Sequence, residues 1–166
     1  MTSSLALVAT ALLSLCLQAK EIPEFTYGSP HKAGSWVTLK TKMDASGVKM
    51  MVQSTRTLVE VGADKLVVEQ KNKVAMNGME QPESTQKEEV LKDKEKDPIK
   101  IEKEGDEEIE IAGKKLKCHW IEGTQKEAKV KFWASKEIPG GLAQGEMSGG
   151  NLPGVIKMTA VSCEKK

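Results

Sequence analysis

Cys118 and His119 stand side by side, and a thiol next to an imidazole is the nearest this chain comes to a reactive pair. A Cys–His nucleophile needs both groups within hydrogen-bond reach. Here Leu116, Cys118 and Trp120 alternate with Lys117 and His119, which predicts a strand, and neighbours on a strand point to opposite faces. The same geometry weakens shared metal ligation. Structural zinc takes four ligands and catalytic zinc three. The chain offers two histidines, His31 and His119, and no C-x-x-C or H-E-x-x-H spacing. No metal site is expected. No G-x-S-x-G elbow occurs, and Gly140-Gly141 and Gly149-Gly150 fit neither the P-loop nor the dinucleotide pattern. No cofactor is expected, and the chain reads as a non-enzyme, with a hydrolase as the remotest alternative.

Cys118 has a second use. Residues Leu5 to Ala19 form an uncharged apolar run that ends in a small residue before Lys20. That is the shape of a secretory signal, and it is short for a membrane span, which needs about 20 residues. Residues 1–19 are therefore expected to be a signal peptide, leaving no transmembrane span after cleavage. The protein is expected to be exported, to a periplasm or the extracellular space. In such an oxidising compartment Cys118 and Cys163 are expected to form a disulfide, with two free buried thiols or two metal ligands as the alternatives.

Composition narrows the partners. The chain has 25 basic and 24 acidic side chains, a net charge of +1 and few aromatics. A nucleic-acid binder shows a basic face and, for single strands, stacking aromatics. No nucleic-acid partner is expected.

The elements that carry these residues read as strands. Val37, Leu39, Thr41 and Met43 alternate with Trp36, Thr38, Lys40 and Lys42. Val48, Met50, Val52, Ser54 and Arg56 begin a second run after the turn residues Asp44 to Gly47. Leu66, Val68, Gln70, Asn72, Val74 and Met76 share one side of a third, after a turn at Gly62 to Asp64. Asn77-Gly78 is a hairpin signal, and Glu83 to Leu91 returns. From Glu83 to Lys115 the chain holds 12 acidic and 8 basic residues in 33. Both signs intermix, and Ile99, Ile101, Ile109 and Ile111 keep a period of two. Solvated strand edges are expected there, paired at Pro98 to Lys103 and at Ile109 to Ile111, with Lys92 to Asp97 as a loop. Ala128, Val130, Phe132 and Ala134 share a face opposite Trp133, after a turn at Glu122 to Lys126. Val155, Thr159, Val161 and Cys163 alternate with Ile156, Met158 and Ala160.

The fold expected is all-β: an antiparallel meander of long strands forming a curved sheet, half-barrel or open barrel. Residues 20–32 form an N-terminal linker and residues 33–166 a single β domain. Methionine adapts to irregular apolar ligands but also fills ordinary cores. Trp36, Met50, Met76, Trp120, Trp133 and Met147 are the candidates to line a concave binding face. The leading expectation is a binding protein for an apolar small molecule, lipid-like or lipoprotein-like. The alternative is an envelope scaffold or protein-interaction module that meets an envelope protein.

Three stretches carry a resemblance: Ala33-Gly34-Ser35-Trp36-Val37, Asn77-Gly78-Met79 with Gln81-Pro82, and Trp133 through Gly141, WASKEIPGG. Together they resemble a group of small exported bacterial proteins, frequent in planctomycetes, with a G-D-W opening and a W-x-S-x-x-V-P-G-G loop. Ser35 stands where that group carries Asp. The resemblance implies export and β-architecture, and brings no activity and no catalytic residues. The layout is also similar, in shape alone, to the half-barrel of periplasmic lipoprotein carriers.

Overall fold

The computed structural model describes residues 32–45, 47–63, 65–91 and 99–166. The expected signal peptide, nearly all of the linker and the Lys92 to Asp97 loop lie outside these residues. The described chain is all-β. Its ten strands are β1 (Trp36–Ala45), β2 (Val48–Val61), β3 (Lys65–Met76), β4 (Met79–Glu80), β5 (Ser84–Leu91), β6 (Lys100–Ile111), β7 (Lys114–Gln125), β8 (Ala128–Ala134), β9 (Leu142–Gly149) and β10 (Val155–Glu164). Among the described residues no helix is long and apolar enough to cross a membrane.

All pairings are antiparallel. The order is β4-β3-β2-β1-β10-β9-β8-β7-β6, with β5 also on β3. Two meanders, β1 to β5 and β6 to β10, thus join where the first strand meets the last. β5 and β6 are opposite edges, yet nine residue steps link Leu91 to Lys100. Nine steps reach about 30 Å at most, whereas eight flat inter-strand gaps would span on the order of 38 Å. Covalent length alone therefore bends the sheet. The edges do not pair, so it stays open.

Turn chemistry sets the register. Asn77 and Gly78 both have positive φ, 49° and 83°, the demand of a two-residue type I′ hairpin. Asn77 also ties the turn to β2: its amide N–H donates to the Lys49 carbonyl, and its Oδ1 accepts the Lys49 N–H.

The inner face carries the core. One row across the sheet runs Ile121, Phe132, Gly145, Met158, Thr41, Val52, Val74. Phe132 and Met158 are 2% and 1% exposed. They fit because Gly145 has no side chain between them: a Cβ there would lie 2.9 Å from Phe132 and 3.0 Å from Met158.

The expected disulfide is absent: Cys118 and Cys163 are free. Cys118 is on β7 and Cys163 on β10, three gaps apart in the sheet, or about 14 Å along it. They also face opposite ways. A register shift between Thr38 and Leu39 leaves Val161 unpaired and sets Cys163 opposite the core residue Val37. Cys118 alternates with the inward Ile121 and shares the outer side with Trp120. A disulfide needs Cα atoms within about 7 Å.

Candidate functional site

The six candidate lining residues divide by face. A second inner row runs Val130, Met147, Ile156, Met43, Met50, Met76, Met79. Met50 and Met147 are core side chains, 4% and 5% exposed, and Met76 is half-buried against the core. The three tryptophans take the outer parity. Trp36 donates from Nε1 to Glu164 Oε2 at 3.1 Å. Trp120 and Trp133 are directly paired across β7 and β8. The Lys131 ammonium sits 4.7 Å and 4.8 Å from their ring centroids, within cation–π range. Trp133 Nε1 donates to Glu107. The Trp120 ring lies over Gly105 of the edge strand, at 3.0 Å from where a Cβ would stand. The methionines and tryptophans therefore do not converge on one site.

Cys118 and His119 do not meet either. The Cys118 thiol lies beside Ser135 and Glu107, and burial, then the Glu107 charge, pushes its pKa up. His119 Nδ1 is 3.0 Å from Asp106 Oδ1, with Glu104 3.7 Å from Nε2. Both residues line a groove of about 890 Å³ between the β6–β7 hairpin and the Ala134–Glu137 segment. Its walls mix Asp106, Glu107, Glu108 and Glu137 with Lys115, Lys117 and Lys136. A thiol whose pKa is raised by burial and an imidazole on the far side of the strand supply no nucleophile–base pair.

The inner face has a feature that the sequence reading passed over. Where β2, β3 and β5 adjoin, two register rows are polar: Ser54, Asn72, Ser84 and Arg56, Gln70, Gln86. Ser54 Oγ donates to Asn72 Oδ1 at 2.7 Å, and Gln70 Nε2 donates to the same oxygen at 2.9 Å. Arg56 Nε donates to Gln70 Oε1 at 3.2 Å. Asn72 is 1% exposed, and its Nδ2 has no hydrogen-bond partner. A buried unsatisfied donor costs about 1–3 kcal/mol. The signal was present in the sequence: Ser54, Arg56, Gln70 and Asn72 stand at positions whose strand neighbours of the same parity are Met50, Val52, Val74 and Met76.

Flanking this patch, the inward side chains Leu66, Val68, Val74 and Met76 of β3 are only half-buried. Under β8, β9, β10 and β1 the same face is filled. The chain matches no protein-family model, and no curated protein matches it.

Proposed function

We propose that this is an exported, non-enzymatic binding protein that holds an apolar ligand on the inner wall made by β2, β3 and β5. The observation that carries the reading is the half-buried apolar wall of β3. Leu66, Val68, Val74 and Met76 are turned toward the core side yet only half-buried, beside a fully packed half of the same sheet. Apolar walls with a few placed polar groups are the usual composition of a small-molecule site. Met76 adds an unbranched, adaptable side chain. Export rests on the Leu5–Ala19 run and on the likeness to the exported bacterial group.

Organic extraction of the purified protein followed by mass spectrometry is expected to release lipid. The stripped protein is expected to bind a hydrophobic dye saturably, and Val74→Glu to remove that binding with the strand spectrum retained. No extracted lipid and no saturable dye binding in wild type refute the reading.

A further inference from the structure

We infer that the polar patch is a head-group subsite, and that the ligand is an amphiphile whose polar end carries a carbonyl or carboxylate oxygen. The inference rests on the binding reading above and names the ligand class for that wall. Asn72 is the reason. Its amide orientation is fixed, because Oδ1 accepts from both Ser54 Oγ and Gln70 Nε2. Turning the amide over would set Nδ2 against the Gln70 amide donor. Nδ2 is therefore locked as a donor, buried and without an acceptor. A buried polar group without a partner calls for one from outside the chain. The missing partner is an acceptor.

The surroundings fit such a guest. Asn72 lies opposite Ser84 and Gln70 opposite Gln86, both on edge strand β5 and both exposed. The approach to the patch thus crosses a small serine at the sheet edge. From Asn72 the inner side of β3 continues to Val74 and Met76, about 13 Å of strand. Met50 lies beside Met76. A head held at Asn72 leaves an acyl chain along this apolar track. Among neighbouring charges, Arg56 is bonded to Gln70, and Glu88 lies one row further on, opposite Val68. Ligand heads that only donate find no free acceptor at Asn72.

Calorimetric titration of the full chain with dodecanoate and with dodecylammonium, both below micelle formation, compares one tail with an accepting and a purely donating head. Dodecanoate is expected to bind at least tenfold more tightly, about 1.4 kcal/mol, and to shift the Asn72 side-chain amide resonance. Asn72→Asp keeps the acceptor for Ser54 and Gln70 and deletes the donor, so the tenfold preference is expected to vanish. Should that variant fail to fold, the wild-type amide resonance decides. Equal or reversed affinities with an unmoved amide overturn the inference and leave the apolar site standing, with Nδ2 serving a buried water only. Binding of neither probe overturns both.

Discussion

Replacing Gly145 by alanine tests the packing of the filled half of the sheet. Gly145 is extended backbone between Phe132 and Met158. On general grounds Gly→Ala in a strand is favourable, by about 0.4–1 kcal/mol, because the unfolded chain loses freedom. Here the new Cβ would stand 2.9 Å from Phe132 Cδ1, 3.1 Å from its Cε1 and 3.0 Å from Met158 Cε. Relaxed carbon contacts lie near 3.5–4.0 Å. Met158 can swing its terminal methyl, but the Phe132 ring is enclosed, so the strand itself must yield. Overpacking of this kind costs about 1–3 kcal/mol. The net expectation is a loss of roughly 1–2 kcal/mol, opposite in sign to the propensity argument. Urea unfolding reads it as a lower midpoint at unchanged m. Phe132→Leu removes the obstructing ring edge, so the double variant is expected to be more stable than the sum of the single losses, by about 0.5 kcal/mol or more. A neutral or stabilised Gly145→Ala, or strict additivity in the double, refutes the reasoning. Gly105→Ala is expected to cost less, since Gly105 is on edge strand β6 and the Trp120 ring it meets is only half-buried.

The remaining expectations concern thiols, charge and turn strain. Of the two free cysteines, half-buried Cys163 is expected to react first with a thiol reagent. Cys118, with its pKa raised by burial and Glu107, is expected to react only on unfolding; a loss of two hydrogens relative to the reduced mass would contradict the free pair. Glu164 is held below the usual carboxylate range, first by its hydrogen bond with Lys166 and then by that with Trp36. Its contribution is therefore present above the unfolded value near 4.3 and lost as pH falls through the depressed folded value. Urea midpoints of wild type and Glu164→Gln are expected to converge on acidification, and parallel profiles contradict the pairing. Glu127 sits at φ 67°, where a side chain costs about 1–2 kcal/mol. Glu127→Gly is expected to raise the thermal midpoint, and a lowered midpoint counts against backbone strain at this turn.

Local alternation made much of the fold legible. The inward set Val37, Leu39, Thr41, Met43 and the Asn77-Gly78 hairpin follow from period and turn chemistry alone. Three features have no such signal. The turn between β7 and β8 is Lys126-Glu127, both at positive φ, and neither residue type announces a left-handed turn. The sequence therefore reads the turn as Glu122 to Lys126, whereas β7 runs through to Gln125. Val161 sits in the bulge opposite Thr38 and Leu39, and one unpaired residue reverses the parity of everything after it. Cys163 thereby joins the side of Ile156, Met158 and Ala160. In β6, pairing is expected at Pro98 to Lys103 and at Ile109 to Ile111, whereas the strand runs unbroken from Lys100 to Ile111, with the Trp120 ring over Gly105. The tryptophans are a different case, since alternation already sets Trp36 beside Lys40 and Trp133 opposite Phe132. Bulk and hydrophobicity argued for a ligand wall, and parity decided otherwise.

The opening of the sheet is written in its most charged segment. An antiparallel sheet closes when both edges can offer an apolar inner side and unpaired backbone to each other. β5 offers little of this: from Ser84 to Glu89 its inner row is Ser84, Gln86, Glu88 and its outer row Thr85, Lys87, Glu89, and only Val90 and Leu91 at its end are apolar. Polar on both faces over these six residues, it adds a strand to β3 with little apolar surface. Val68, opposite Glu88, remains half-buried beneath it. At the other edge, β6 sets Glu104, Asp106, Glu108 and Glu110 on one parity, a charge row of the kind that keeps an edge from pairing. The two edges do not pair with each other. The segment from Glu83 to Lys115 thus does more than stay solvated. Its polar edge strand leaves the inner wall of β3 half-buried.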